Sequence, residues 1–352
     1  MKPGEWACKL RAPNWKIYRG VKVVNVESVS LDEIERQSVA ALVRHGASEW
    51  VAREVARAIR KAEANSNKIC GLYYLESYCV QLQTGRVDGR AEPEVSRPRP
   101  GAVFVDARLG FAQSAFARGI GPAIEVAREM GNCSMAVGHS HTCTAVGYFT
   151  EQFAQAGLLA IGMTNAPACV SPPGGNRAVL GTNPVAMSVP AKGGGVAFQF
   201  DQSTSAIAIG KIRVAAANGD KIPLGWAVDK NGDATDDPNA ALEGSLLSAG
   251  GYKGFGFGLM AELLASAATG SLSSCTAPPL KAPEGPAHDL GQYYLIIDPT
   301  TFSGDQFWEG LDALAATVSE QQGARLPGSR PIPEADVEVD AALWQTVLKL
   351  AS

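Results

Sequence analysis

The sequence of 352 residues contains no apolar run approaching the roughly 20 residues that a helix needs to cross a bilayer. Its opening stretch, MKPGEWACKLRAPNWKIYRG, lacks the apolar h-region of a secretory signal. No Cys-x-x-Cys pair occurs, and the seven cysteines, Cys8, Cys70, Cys79, Cys133, Cys143, Cys169 and Cys275, are odd in number and scattered. That set argues against a disulfide framework or a zinc knuckle and for a reducing compartment. Histidines number only four and no carboxylate cluster adjoins His139-x-His141, so no metal is expected there. A net charge of −4 and a pI near 5.7 leave no sequence-wide basic surface for nucleic acid or anionic membrane. A soluble cytoplasmic protein acting on small molecules is the expectation.

What is present suits a large core. With 46% hydrophobic and 19% charged residues, the chain has an ordinary globular composition and a length fit for two domains or one elaborate one. Ser30 and Glu33 form a capping box before Leu31, Ile34, Val39 and Leu42 at helical spacing, with Gly46 as C-cap. Ser48 is placed to cap a second helix carrying Val51, Val55 and Ile59. From about residue 100 strands and helices alternate: AVFVDA, a helix from Ser114 to Met130, CSMAVG, a helix from Val146 to Ala156, and LLAIGMT. VAMSVP, VAFQF and GWAV read as short strands, Phe255 to Ala268 as a helix, and residues 271–292 as a Ser/Pro-rich loop. YYLIID then reads as a strand, followed by helices over Gln306 to Glu320 and Asp336 to Leu350. The fold class is α/β.

Generic motifs exclude more than they reveal. Gly254-Phe255-Gly256-Phe257-Gly258 has the wrong spacing for a dinucleotide fingerprint, so a Rossmann site is not supported; its glycines suit close helix packing, anion binding at a helix start, or both. The stretch AVGHSHT resembles the start of a nucleophile elbow around Ser140, but Thr142 stands where the closing glycine belongs, which makes a hydrolase a weak rival. Asp229 to Asp233 looks like a calcium loop, yet its glycine comes too early and Ala240 occupies the twelfth position; Asn231-Gly232 suits a hairpin turn instead.

The run from Gly147 to Pro190, with FAQAGLLAIGMTNAP, SPPGGNRAVLGTNPVAMSVP and Gly181-Thr182-Asn183-Pro184, closely resembles the malate/L-lactate dehydrogenase family. FDQSTSAIAIGKI, KIPLGWAVDKNGDATDDPNAALEG, GGYKGFGFGLMAELLA, LIIDP and RLPGSR continue the resemblance, as does LQTGRVDGRAEPEV near the start, so that it covers about four fifths of the chain. VDGRAEP and GFAQSA are most similar to the branch of Δ1-piperideine-2-carboxylate and Δ1-pyrroline-2-carboxylate reductases. The resemblance implies a non-Rossmann NAD(P)-binding domain around a largely antiparallel sheet, helical N- and C-terminal segments, and a homodimer with its site between domains. It implies residues 1–130 as a helical substrate and dimer region, 131–275 as the cofactor domain, and 276–352 as a return to the first region. It places Ser140, Gly181, Thr182, Asn183, Asp201, Ser203, Thr204, Ser205, Lys253, Gly254, Pro327 and Gly328 at the dinucleotide, NADPH by preference and NADH as the alternative. Hydroxyls at residues 203–205, an anion nest of backbone N–H groups, and Lys253 beside phosphate supply an independent physical reason.

The family carries Ser-His-Gly-x-x-Arg after its second helix; here Ile69, Cys70, Gly71 and Tyr74 stand in that register. Ser140-His141-Thr142 occupies a second family pattern, with the histidine in the middle position. Cys70, His141 and Asp201 are therefore the candidate acid/base groups, and Tyr73, Tyr74 and Thr142 the candidate substrate contacts. Cys70 reads equally as a small buried hydrophobe, Asp201 as a carboxylate bonded to backbone, and the Ser/Thr cluster as a strand-end cap. The reading is reduction of a cyclic α-imino acid, whose protonated C=N needs less assistance than a ketone. A 2-hydroxy acid (malate/lactate-like) dehydrogenase with a 2-oxo acid as its small-molecule partner, a recruited proton donor at Cys70, Tyr74 or His141, and a redox-inactive dinucleotide-binding homologue are the alternatives.

Overall fold

The computed structural model describes residues 25–328 and 335–352. The N-terminal stretch of residues 1–20, with Cys8, and the end of RLPGSR lie outside the described residues.

Strand β1 (Val26–Ser30) leads into α1 (Leu31–Arg44), where the Ser30 hydroxyl accepts the Glu33 N–H at 3.1 Å. Only that half of the capping box forms, because the Glu33 carboxylate turns to Arg36 and Gln37 one turn on. Ser48 does precede α2 (Glu49–Ala64), but its buried hydroxyl makes no cap bond. Two single-turn 3-10 helices, Lys68–Cys70 and Leu72–Tyr74, carry the altered motif into α3 (Leu75–Gln83). Then come β2 (Glu94–Arg99), β3 (Ala102–Asp106), α4 (Ala112–Met130), β4 (Asn132–Ser140), α5 (Gly147–Gln155), β5 (Leu159–Thr164), β6 (Val185–Pro190) and β7 (Val196–Gln202). A smaller lobe holds α6 (Ile209–Asn218), β8 (Ala227–Val228), α7 (Pro238–Glu243) and β9 (Ser245–Leu246). The chain closes with α8 (Tyr252–Glu262), a π-helical turn over Leu263–Ala267, β10 (Leu290–Ile297), α9 (Gln306–Ser319), β11 (Asp336–Asp340) and α10 (Ala341–Ala351).

The main sheet has seven strands in the order β2-β3-β4-β10-β5-β6-β7. Only β3 and β4 run parallel, joined by α4 as a crossover; the other five pairings are antiparallel. Its strands come from all three of the regions expected from the resemblance, with β10 inserted at the centre beside β4 and β5. Phe116, Phe149, Phe153 and Tyr294 meet edge to face beneath α4 and α5. A second core gathers Ile34, Leu42, Val55, Ile59 and Leu75 with Trp344 and Val347 from the far end of the chain. A third, around Val170, Leu180, Ile212 and Leu246, supports the small lobe.

Two expected elements are corrected. Residues 336–340 are not the first turn of a helix but β11, which pairs antiparallel with β1, and α10 starts only after the Asp340 cap. The expected strand GWAV shrinks to the two residues of β8, where β9 offers only a short partner. The Asn231-Gly232 turn stands as read: Gly232 sits at φ 94°, and the Asp229 carboxylate accepts the N–H groups of Asn231 and Asp233.

Candidate active site

Three parts of the chain converge on the candidate residues and border the candidate cleft: the end of β7, the start of α5 and the 3-10 turns of residues 68–74. Asp201, on β7, reaches the start of α5 and accepts the Gly147 N–H at 2.8 Å. The helix end and its free N–H groups favour the carboxylate, yet crowding by protein on the sides away from its solvent opening wins, and the acid is pushed up to about 6. Cys70 lies close enough for the Asp201 charge to raise its thiol further, and burial is the larger cause; together they push it up to about 12. Burial likewise pushes Tyr74 up to about 12 and Cys143 up to about 12. Asp201 is thus the group of this cluster that titrates near neutrality, while the neighbouring thiols and phenol stay protonated.

Aromatic rings form one wall. Tyr73 meets Tyr74 edge on at 5.7 Å between centroids, and Tyr74 stacks on the buried Tyr78 at 5.7 Å. Thr144, a β-branched residue at φ 64°, lies in the loop between β4 and α5 beside Tyr78, an unfavourable backbone conformation held next to the cleft. Ile69 Cδ1 lies 3.6 Å from where a Cβ on Gly210 would stand, which brings the 3-10 turns near the first turn of α6.

His141 does not open into this cleft. It is 2% exposed, boxed by Tyr78 and Phe111 and stacked on His288 with centroids 3.9 Å apart. Its Nε2 lies 2.7 Å from Gln81 Oε1, and because the Gln81 amide N–H groups are committed to Leu280 O and Ala282 O, Nε2 carries the proton. Burial, then His288 and Arg86, hold His141 far below the ordinary imidazole range, so it stays neutral. Thr142 is buried too, its N–H donating to His288 Nδ1 at 3.3 Å. Ser140 is fully buried and donates to Leu290 O, which removes the strained, exposed hydroxyl that a nucleophile elbow requires. His139 is bonded to Asp289 rather than turned toward His141, and no group of three or more His, Cys, Asp or Glu suited to a metal occurs among the described residues.

The other cofactor candidates do come together, but by a different chemistry from the one their side chains suggest. Thr182 O accepts three donors: the Thr204 N–H and the hydroxyls of Ser203 and Thr204. The Ser205 N–H bonds Ser203 Oγ, so two of the three N–H groups expected to form an anion nest at residues 203–205, those of Thr204 and Ser205, are already bonded within the protein. Asn183, fully buried, ties Ala166 to Gly258 and to the buried Glu262, which also receives the Ser274 N–H. Gly181 through Ser205 therefore braces the wall. What remains for an anion is the pair of helix starts on either side of the Ser205–Ser248 bridge: α6 and α8 both begin without a side-chain cap, and exposed Lys253 stands in the first turn of α8 with no carboxylate in ion-pair distance among the described residues. Uncapped N–H groups beside a free cation fit the diphosphate of a dinucleotide. Pro327 O accepts the Gln199 N–H at 3.2 Å, which lays Pro327-Gly328 along the outer edge of β7 toward Asp201.

Gly254 earns its place by packing. A Cβ there would lie 2.0 Å from Ala249 O, a backbone atom with no freedom to withdraw. Gly254→Ala is expected to cost about 1–3 kcal/mol through overpacking and to shift the start of α8. Thermal melting should show the loss, and NADPH titration should show weakened affinity. Cys70→Ser, in contrast, should keep kcat within about threefold, since a thiol raised this far supplies neither thiolate nor proton at neutral pH. Iodoacetamide at neutral pH, read by peptide mass, should label the exposed Cys275 and leave Cys70 unmodified.

Gln81 and Lys281 carry no sequence signal, and Arg86 lies in the LQTGRVDGRAEPEV run with nothing local to mark its role; the Arg86 N–H donates to Gln81 O, and both side chains hold the loop of residues 279–288 that carries Lys281. A groove of about 470 Å³ between α1, α2 and α5 contains none of the candidate residues, and its cations Arg57, Arg60 and Lys61 are each paired with a carboxylate.

Known proteins agree with this architecture. The sequence profile of the malate/L-lactate dehydrogenase family matches residues 29–344. A (2R)-3-sulfolactate dehydrogenase (NADP(+)) from Chromohalobacter salexigens is 41% identical over 305 residues, 86% of this chain and 90% of that protein. A Δ1-pyrroline-2-carboxylate/Δ1-piperideine-2-carboxylate reductase from Pseudomonas aeruginosa is 38% identical over 307 residues, 86% of this chain and 91% of that protein. The crystal structure of Δ1-piperideine-2-carboxylate reductase from Pseudomonas syringae pv. tomato superposes with a TM-score of 0.84 at 33% identity, covering 92% of this chain and 99% of that one. Fold and relatives define a nicotinamide-dependent oxidoreductase. The chain belongs to the malate/L-lactate dehydrogenase family.

Proposed function

We propose that this chain is an NADPH-dependent reductase of a cyclic α-imino acid of the Δ1-pyrroline-2-carboxylate or Δ1-piperideine-2-carboxylate type. The single observation that carries the reading is Asp201, an acid poised at about 6 that accepts the Gly147 N–H and lies near the protonated Cys70 thiol and Tyr74 phenol. NADPH supplies the hydride that forms the new C–H bond. As the C=N electron pair moves onto nitrogen, Asp201 hands over its proton, and Tyr73 and Tyr74 face the flat ring. His141 acts in this reading as a neutral, buried positioning group, and Cys70 as a wall. The uncapped starts of α6 and α8 with Lys253 hold the dinucleotide in a non-Rossmann manner, supported by a sheet antiparallel in five of its six pairings.

A second reading, oxidation of a 2-hydroxy acid, is favoured by the 41% identity to the sulfolactate dehydrogenase; Asp201 then takes the hydroxyl proton as a base. Loss of NADPH absorbance, followed in parallel with Δ1-piperideine-2-carboxylate, Δ1-pyrroline-2-carboxylate and pyruvate, and gain of absorbance with NADP+ and 3-sulfolactate, separates the two. Turnover of the imines with little activity on the others supports the first; activity confined to the acids overturns it. Dinucleotide binding with no turnover of any of them marks a redox-inactive homologue.

We also propose a cytoplasmic homodimer. None of the residues of α9 is buried, α8 leaves Tyr252, Phe257 and Leu259 exposed, and the π-turn after it leaves Leu263 exposed, more apolar helix surface than a monomer usually leaves in water. Light scattering on the purified chain tests it, a monomer being the contrary result. No helix among the described residues is long and apolar enough to cross a membrane.

A further inference from the structure

We infer that Lys281 is the anion-recognition residue of the cleft, holding the carboxylate of the substrate against the Tyr73–Tyr74 wall. The inference rests on the reading above only in that the substrate is a carboxylic acid.

Lys281 lies on the loop between the π-turn after α8 and β10, far in sequence from the other site residues. Its ammonium sits 3.4 Å from the centroid of the Tyr73 ring and 5.4 Å from that of Tyr74, and donates to Tyr73 O at 3.2 Å. One of its three N–H donors is thereby used and the rest are free. Among the described residues no carboxylate lies within ion-pair distance of it. Lys281 is exposed, and what holds it over the rings is a clamped loop. The buried Arg86 donates to Pro279 O, Ala282 O and Pro286 O, and Gln81 adds bonds to Leu280 O and Ala282 O. The residues on both sides of Lys281 are thus fixed by main-chain bonds, which pre-organises its ammonium over the rings. Tyr74 in turn lies near Cys70, and Cys70 near Asp201, so the rings under the cation are on the side of the 3-10 turns that faces the acid. A planar ring carrying a carboxylate meets all three demands: aromatic stacking, a fixed positive charge and a proton donor.

The test compares wild type with Lys281→Met, which keeps an apolar stem over the rings, and with Lys281→Arg. With Δ1-pyrroline-2-carboxylate the methionine variant should raise KM about 10- to 100-fold, the loss of one hydrogen bond to a charged group, with kcat within about twofold. Arginine should restore most of it. With Δ1-pyrroline, the same ring without its carboxylate, wild type and variants should have equal KM. A binding arm, independent of turnover, titrates 2-furoate and 2-furamide into the NADPH-loaded full chain. Wild type should favour furoate, and Lys281→Met should abolish the preference. If the chain turns over no imino, oxo or hydroxy acid but the furoate preference appears and depends on Lys281, the functional reading fails and the assignment of Lys281 stands. A methionine variant equal to wild type in both arms, or a wild type indifferent to the furoate charge, overturns the assignment.

Discussion

Replacing Asp201 with asparagine should lower kcat for imine reduction about 10²- to 10⁴-fold, the usual contribution of a positioned general acid. The amide can still accept the Gly147 N–H, so the start of α5 keeps its partner and the loss falls on proton transfer rather than folding. In wild type, kcat/KM for reduction should fall as pH rises through about 6, because the deprotonated carboxylate has nothing to give. In the oxidative direction the limb reverses, activity rising through the same range. Both limbs should vanish in the asparagine variant, and a wild-type profile flat from pH 5 to 8 would remove Asp201 from the chemistry. Stability provides an independent check of sign. A carboxyl raised above its ordinary value binds its proton more tightly in the folded state, so its contribution is complete below the ordinary value of 3.8 and is lost as pH rises through about 6. Asp201→Asn should therefore melt higher than wild type at pH 8 and show no advantage at acid pH. Such an exchange of stability for function is common where a strained or desolvated group does the work.

Arg86→Met should destabilise the fold by about 3 kcal/mol, despite removing a buried charge. Two effects oppose one another. Burying a guanidinium without a carboxylate costs several kcal/mol, and an apolar replacement recovers that cost. Against it stand three charge-assisted hydrogen bonds of about 1.5–3 kcal/mol each, and carbonyls at Pro279, Ala282 and Pro286 that would be left without this donor. Losing three charge-assisted bonds outweighs the recovered desolvation. Urea melting should report the loss, and hydrogen exchange should quicken over residues 279–288 while the central sheet stays protected. Since the same loop carries Lys281 and His288, KM should rise as well. An unchanged melting midpoint would show that the clamp is dispensable.

How much of this was legible beforehand follows from the range of the forces involved. β3, α4, β4, α5, β5 and β6 could be read because strand alternation and helical periodicity are properties of neighbouring residues. The Ser30 cap and the Asn231-Gly232 turn belong to the same class, each being settled within four residues. Residues 336–340 misled because their local pattern suits the beginning of a helix, whereas β1, some three hundred residues earlier, supplies the strand partner. At the site, Asp201 was identifiable from its motif, but its acidity comes from the protein packed around it at the mouth of α5. His141 was a reasonable acid/base candidate until Gln81, Phe111 and His288 enclosed it.

By itself, then, the sequence determined the family, the α/β class and the addresses of the cofactor and acid candidates, since those reside in local patterns and short motifs. Only the tertiary structure decided what each group is free to do. Whether the hydroxyls of Ser203 to Ser205 face a ligand or brace Thr182, whether a histidine is solvated or boxed, and whether a lysine on a Pro-rich loop is fixed over two rings are questions of desolvation and partner geometry. Those quantities arise from residues distant in sequence, which no local pattern encodes.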